Sequence, residues 1–224
     1  MRYKRILMDI DDTIFDFRQG NRNAVGLLME ELGLASPTVF DEYQAINHAC
    51  WEALERGEMT QEVLAVERFR RFLAFKQRDD DPEAVANRFS QLLGMQAIYL
   101  PGAEESIRAI AEKLPVVLLT NGITVIQKSR LSISTLGSYA AKIVISQEAG
   151  VSKPDPRIFE IALDGCDPRA ALMIGDGIAS DVIGANRAGV DVCWYNPKAK
   201  VLPEGAHAEY EIRDIRECVK IALG

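Results

Sequence analysis

Three carboxylates, Asp9, Asp11 and Asp12, close a short apolar run in ILMDIDDTIFDF, residues 6–17. Acids crowded in this way repel one another, which raises their pKa values, so the cluster is either a solvated loop or a seat for a cation. Other reactive residues stand at comparable places. Thr120 ends VVLLT and is followed by Asn121 and Gly122; Lys153 lies in GVSKPDP; Asp176 ends ALMIGD, with Asp181 five residues further on. A carboxylate able to attack, a second acid to move a proton, and a hydroxyl and an ammonium able to meet an anion are the parts of nucleophilic catalysis on a charged ligand.

Such residues act together only if the chain brings them together. Short, nearly continuous aliphatic runs recur at RILMD, VVLLT (116–120), KIVIS (142–146), ALMIGD (171–176) and VDVCWY (190–195), the pattern of strands covered on both faces. Helical stretches are expected between them over Ala103–Lys113, Ile123–Leu136, Pro156–Leu163 and Ser180–Ala188, the last closed by Gly189. This alternation predicts an α/β fold with a Rossmann-like parallel sheet and helices on both faces. Ligands bind at the carboxyl ends of the strands in such sheets, and every reactive residue named above follows a strand.

Residues 17–98 interrupt the alternation with a stretch that reads as helical throughout. Ala24, Val25, Leu28, Met29 and Leu32 form one stripe; Phe40, Tyr43, Ile46, Asn47, Cys50, Trp51 and Leu54 form a second. A third helix is expected over Gln61–Phe75, and Asp81-Pro82 has the form that starts a fourth, with Gly94 at its end. The expected organisation is therefore a core of residues 1–16 and 99–224 carrying an inserted all-helical cap, 17–98, with crossings near FDFRQG and YLPGA.

Composition narrows the partners. Lys and Arg number 26 against 33 Asp and Glu, a net charge of −7 that argues against a nucleic acid polymer. Cys50, Cys166, Cys193 and Cys218 are scattered without metal spacing and read as reduced thiols. The first apolar run is too short for an anchor or leader, so a cytoplasmic protein, off the membrane and either monomer or homodimer, is expected.

The ordered elements DIDDT, TNG, SKPDP and GDGIASD resemble the four motifs of the haloacid dehalogenase superfamily, and the likeness includes a helical cap inserted after the first. Within it, DEYQAINHACWEALERGEMT and GVSKPDPRIFEIAL are similar to the pyrimidine 5'-nucleotidases, which hydrolyse UMP, dUMP and dTMP. The resemblance implies a Mg²⁺-dependent hydrolase of small phosphate monoesters. Asp9 would form an aspartyl-phosphate, and Asp11, two residues on and on the same side of an extended chain, would be the general acid and base. The Asp9 carboxylate, the Asp11 carbonyl and Asp176 would hold Mg²⁺, with Asp181 orienting metal-bound water or Lys153. Thr120, Asn121, Gly122 and Lys153 would bind the phosphoryl oxygens.

Other residues carry plainer readings. Asp12 reads as a turn residue, Thr13 as a partner for the loop after the nucleophile, and RDDDP (78–82) as a solvated turn. Asn47 and Trp51, one turn apart with Tyr43 on the same face, could meet a base or simply pack and solvate the cap. His48 and His207 follow no metal spacing. The rival functions are a sugar-phosphate phosphatase, a phosphoglucomutase and a catalytically silent binding protein. A dehalogenase is disfavoured because an alkyl halide has no leaving oxygen for Asp11 to protonate.

Overall fold

The computed structural model describes residues 1–224, the side chain of Glu55 excepted. Six strands, β1 (Arg5–Met8), β2 (Val116–Thr120), β3 (Lys142–Ile145), β4 (Ala171–Gly175), β5 (Asp191–Tyr195) and β6 (Tyr210–Ile212), form one sheet. Their order is β3-β2-β1-β4-β5-β6 and every pair is parallel. β2 and β4 are buried along their whole length, as their unbroken aliphatic runs require. β1 sits at the centre, with Met8 opposite Leu118 on one side and Ile174 on the other. The next residue, Asp9, thus emerges between the ends of β2 and β4.

Helices cover both faces. One apolar layer gathers Ile6, Met8, Ile107, Ile110 and Leu118, the other Leu7, Leu119, Phe159, Met173 and Trp194. The helices of the core are α5 (Ala103–Ala111), α6 (Thr124–Ser132), the single turns α7 (Leu136–Tyr139) and α8 (Ser146–Ala149), α9 (Pro156–Leu163), α10 (Gly184–Ala188) and α11 (Cys218–Leu223). The expected helix over Ile123–Leu136 breaks after Ser132. There the Ser132 and Ser134 hydroxyls donate to the carbonyls of Ser129 and Arg130 at 2.7 and 2.8 Å, competing with the helical ladder. The expected helix from Ser180 begins instead as a π-helical turn, Ile178–Ile183, in which Val182 N–H reaches back to Gly177 O at 3.1 Å.

Between β1 and α5 lie four helices, α1 (Phe17–Glu31), α2 (Val39–Glu55), α3 (Gln61–Phe75) and α4 (Pro82–Gly94). Asp16, Thr60 and Asp81 cap three of them through their side chains. Val25, Leu28, Tyr43, Phe69, Phe72 and Phe89 make a separate core among these helices, and Ile126 of α6 joins it. At that junction a side chain on Gly94 would press to 2.9 Å from Ser129 Cβ, so the glycine lets α4 lie against α6. The two crossings run side by side: Asp16 N–H donates to Ile98 O, and Leu100 N–H to Ile14 O, both at 2.8 Å.

Candidate active site

Lys153 is the hub of the strand-end cluster. Its side chain is only 1 % exposed, and Nζ lies 2.5 Å from Asp9 Oδ1 and 2.6 Å from Asp181 Oδ1. Burial alone would push the ammonium pKa down, but Asp181 and Asp9 together hold it above the ordinary lysine value. Its backbone is clamped as well. The Asn121 amide donates to Lys153 O at 2.8 Å and accepts from Lys153 N–H at 2.9 Å, tying the end of β2 to this loop.

Of the two backbone N–H groups expected to assist at the phosphate, that of Gly122 donates to Thr120 Oγ1 at 3.0 Å, while the engagement of Asn121 with Lys153 is through its side chain. Thr120 Oγ1 accepts a second bond from Gln127 Nε2 at 2.8 Å. With its lone pairs engaged, the hydroxyl keeps its proton for an acceptor in the cavity.

Asp181 is held by Gly177 N–H on Oδ2 at 2.8 Å and by Lys153 on Oδ1. A side chain on Gly175 would stand 2.6 Å from Asp181 Cγ, so the last residue of β4 has room only for hydrogen. Asp176, whose carbonyl accepts from Trp194 Nε1 at 3.1 Å, is pushed up to about 7 by burial and by the nearby Asp181 and Asp12. One carboxylate oxygen from each of Asp9, Asp176 and Asp181 lies within 4.8 Å of the others. Three acids against one lysine leave excess negative charge, and their hard oxygens suit a divalent cation such as Mg²⁺.

Asp11 is met by residues the sequence reading did not anticipate. Its Oδ1 pairs with Arg130 Nη1, and its Oδ2 accepts from Gln127 Nε2 at 2.8 Å. Gln127 Oε1 in turn accepts from Arg130 at 3.0 Å, and Arg130 Nε donates to Gln96 O at 3.0 Å in the second crossing. The guanidinium lies over the Phe15 ring, 4.6 Å from its centroid. Arg130 thus touches both crossings and one of the two aspartates. Gln127 and Arg130 are three residues apart on α6, so a polar pair on the inward face was the available signal.

A cavity of about 240 Å³ joins these groups to the inserted helices. Its lining includes Asp9, Asp11, Thr120, Lys153, Asp176 and Asp181 from the strand ends, with Gln127 and Arg130 beside them, and Phe17, Trp51, Arg68, Leu93, Ile123 and Ile126. Trp51 therefore reaches the cavity. Asn47 does not: it lines a neighbouring cleft with Gln44, Phe40 and Trp51 itself, and its Oδ1 accepts from Arg68 Nη1 at 3.3 Å. Tyr43 is fully buried against Phe69, Phe72 and Phe89.

The remaining candidates lie apart from the chemistry. Asp12 has φ 58° in a turn and pairs with Arg18 at 3.1 Å. The Thr13 hydroxyl is buried without a partner, and the loop is closed by Ile14 N–H on Ile10 O at 2.9 Å instead, so the side chain does not make the bond expected of it. In the 78–82 turn, Arg78 pairs with Asp80. His48 and His207 are exposed.

The sequence matches the family described as haloacid dehalogenase-like hydrolase over residues 3–189. It is 32 % identical to the pyrimidine 5'-nucleotidase PynA of Streptococcus pneumoniae, over 98 % of this chain and 96 % of that one. It is 29 % identical to the pyrimidine 5'-nucleotidase YjjG of Escherichia coli, over 97 % and 96 %. Among solved structures, YfnB of Bacillus subtilis, crystallised bound to magnesium, superposes over the whole of both chains with a TM-score of 0.91 at 28 % identity. The L-2-haloacid dehalogenase of Xanthobacter autotrophicus shares the fold, with a TM-score of 0.78 at 15 % identity over 99 % of each chain.

Proposed function

The chain belongs to the haloacid dehalogenase-like hydrolases, and from that premise we propose that it is a phosphomonoesterase whose substrates are pyrimidine nucleoside 5'-monophosphates. One observation carries the reading: a single cavity offers a paired carboxylate and lysine at the strand ends and a tryptophan among apolar side chains on the inserted helices. The first set suits a phosphate, the second a flat ring. Two nucleotidase relatives matched along nearly their full lengths support the same assignment.

In this mechanism Asp9 attacks phosphorus as the bond to the nucleoside oxygen breaks, and the carboxylate becomes an acyl phosphate. Asp11 gives its proton to the departing oxygen, so the nucleoside leaves neutral. Asp11 then takes a proton from water as that water attacks phosphorus, which frees Asp9 and phosphate. Lys153 neutralises charge on the phosphoryl oxygens and on Asp9 together, and Thr120 donates its remaining proton to one of those oxygens. Asp9, Asp176 and the Asp11 carbonyl would hold Mg²⁺, with Asp181 beside them. The cation supplies the charge neutralisation that lets a carboxylate approach a phosphate dianion.

The inserted helices, residues 17–98, act in this proposal as a cap that closes on the core of 1–16 and 99–224. Closure excludes water and presents Trp51 to the base. The test is phosphate release, with and without Mg²⁺, across UMP, dUMP, dTMP, AMP, GMP, hexose phosphates and phosphorylated small acids. Higher kcat/KM for UMP, dUMP or dTMP than for AMP or GMP is expected, by tens- to thousands-fold. A sugar phosphate outperforming UMP would overturn the nucleotidase reading. Isomerised hexose phosphate without free phosphate would favour a mutase, and no turnover of any ester would leave a binding protein.

A further inference from the structure

Arg68 is an anomaly in its surroundings. It lies on the apolar stripe of α3, four residues after Leu64 and four before Phe72, and is 4 % exposed. Among the described residues no carboxylate pairs with it. Its one hydrogen bond goes from Nη1 to Asn47 Oδ1; Nε and Nη2 have no partner. The guanidinium lies 4.8 Å from the Phe89 ring centroid and 5.1 Å from that of Phe69, contacts that recover only part of what desolvating a cation costs. Leucine would fill the stripe without that cost. Every other cation lining the cavity has its acid: Lys153 has two, and Arg130 has Asp11.

We propose that Arg68 is the specificity residue through which the inserted helices read the base, selecting a pyrimidine with a keto oxygen at ring position 4 over one with an amino group there. The inference rests on the nucleotidase reading of the same cavity. A guanidinium carries five donors and no acceptor, so it rewards a carbonyl oxygen and leaves an amino group without a partner. Asn47 does not offer its Oδ1 to the amino group, because it lies outside the cavity. Trp51, Phe17, Leu93 and Ile123 line the same cavity and suit the faces of a ring. Position 4 is opposite the glycosidic nitrogen and so is the ring atom furthest from the sugar. Arg68 belongs to the insert, whereas the groups that would hold phosphate belong to the strand ends. A buried donor set of this kind discriminates strongly, because the wrong ligand leaves it unpaired.

The test measures kcat/KM for UMP, CMP and AMP in the full-length protein with Mg²⁺. p-Nitrophenyl phosphate, which has no base, reports whether the catalytic end of each variant is assembled. The wild type should prefer UMP to CMP by about 10- to 100-fold. Arg68→Met should bring that ratio close to one, and Arg68→Gln, whose amide can also accept, should raise CMP relative to Arg68→Met. The wild type alone gives a second reading that needs no variant. Sulfur accepts hydrogen bonds poorly, so 4-thio-UMP should lose more kcat/KM than 2-thio-UMP. An unchanged UMP-to-CMP ratio in Arg68→Met, or equal losses for the two thio-nucleotides, overturns the role of Arg68. If UMP is no better than AMP or a sugar phosphate in the wild type, the nucleotidase reading has failed and this inference fails with it. A UMP preference over AMP that survives beside an insensitive Arg68 removes only the inference.

Discussion

The two ends of the cavity are built to different standards of completion. At the strand ends the polar groups other than the Asp176 carboxylate are partnered before any ligand arrives: Lys153 with Asp9 and Asp181, Asp11 with Arg130 and Gln127, Thr120 with Gly122 and Gln127. On the inserted helices, Arg68 has one bond and two nitrogens without partners, beside a tryptophan and aliphatic side chains. Preorganised polar groups are what chemistry on a charged centre demands, since reorganisation at the moment of reaction is avoided. An incomplete wall is what selectivity demands, because only the right ligand completes it. On the proposed reading, chemistry and choice are separated along the chain as well as in space.

The separation breaks most severely at Asp9. Asp9→Asn keeps the shape of the side chain but removes its nucleophilicity, so turnover of every ester, with or without a base, is expected to vanish. The wild type should also yield an acid-stable, hydroxylamine-sensitive phosphoenzyme that the variant does not form. Near-normal activity in the variant, or no trapped phosphoenzyme in the wild type, would contradict the covalent mechanism.

Asp11→Asn should follow, lowering kcat by roughly 10²–10⁴-fold, the usual worth of a general acid and base. The loss in the first step should be larger for a nucleotide than for an aryl phosphate, whose leaving oxygen needs less protonation. Rapid-quench measurement of nucleoside or phenol release in the first turnover separates the two. Equal losses would mean that Asp11 does not act as the acid.

The third prediction concerns the cation and pH. Asp176, raised to about 7 from an ordinary 3.8, keeps its proton in the metal-free folded protein where the unfolded chain has lost it. Its contribution to stability is therefore fully present below about pH 4, declines as pH rises towards 7, and is gone above that. Mg²⁺ must displace the proton, so its apparent affinity should weaken by about tenfold for each pH unit below 7. Thermal unfolding checks this without reference to activity: the rise in Tm on adding Mg²⁺ should be larger at pH 8 than at pH 6. Equal shifts at the two pH values would remove Asp176 from the set of groups that feel the ion.

What could be read in the sequence divides along the same line. The strand-end residues were legible because each follows an unbroken aliphatic run, and a parallel sheet carries all such ends to one rim. Pro156–Leu163, Gln61–Phe75 and the start at Pro82 were legible because Asp155, Thr60 and Asp81 are caps whose side chains bond to the first turn. β6 escaped notice because Tyr210-Glu211-Ile212 is a three-residue edge strand with an exposed acid at its centre. Gln127, Arg130 and Arg68 were missed for another reason. Helical periodicity assigns a face to a residue but not the cavity that the face will meet, so of Asn47 and Trp51, one turn apart and sharing one cleft, only Trp51 also reaches the cavity at the strand ends. The usable signal was a cation on an apolar stripe, as at Arg68 between Leu64 and Phe72.

The smallest expected effect lies at the seam between the two regions. Gln61, the first residue of α3, donates from Nε2 to the Asn121 carbonyl at 2.9 Å, and Gln147 Nε2 reaches Glu62 Oε1 at 3.3 Å. Both bonds join the insert to the core, the first at the residue that clamps Lys153, yet neither carries a paired charge and both lie in a neighbouring cleft rather than in the cavity itself. A neutral hydrogen bond of this kind contributes about 0.5–1.5 kcal/mol, so Gln61→Ala should lower kcat/KM for UMP by roughly two- to tenfold. If the bond holds the insert over the site rather than shaping the catalytic end, the loss should fall on the nucleotide more than on p-nitrophenyl phosphate, which asks less of the wall. It should also leave the UMP-to-CMP ratio close to the wild-type value, because Arg68 remains. A loss equal for both substrates would mean that Asn121 transmits the change to Lys153, and that the catalytic end is less self-sufficient than its hydrogen bonds imply.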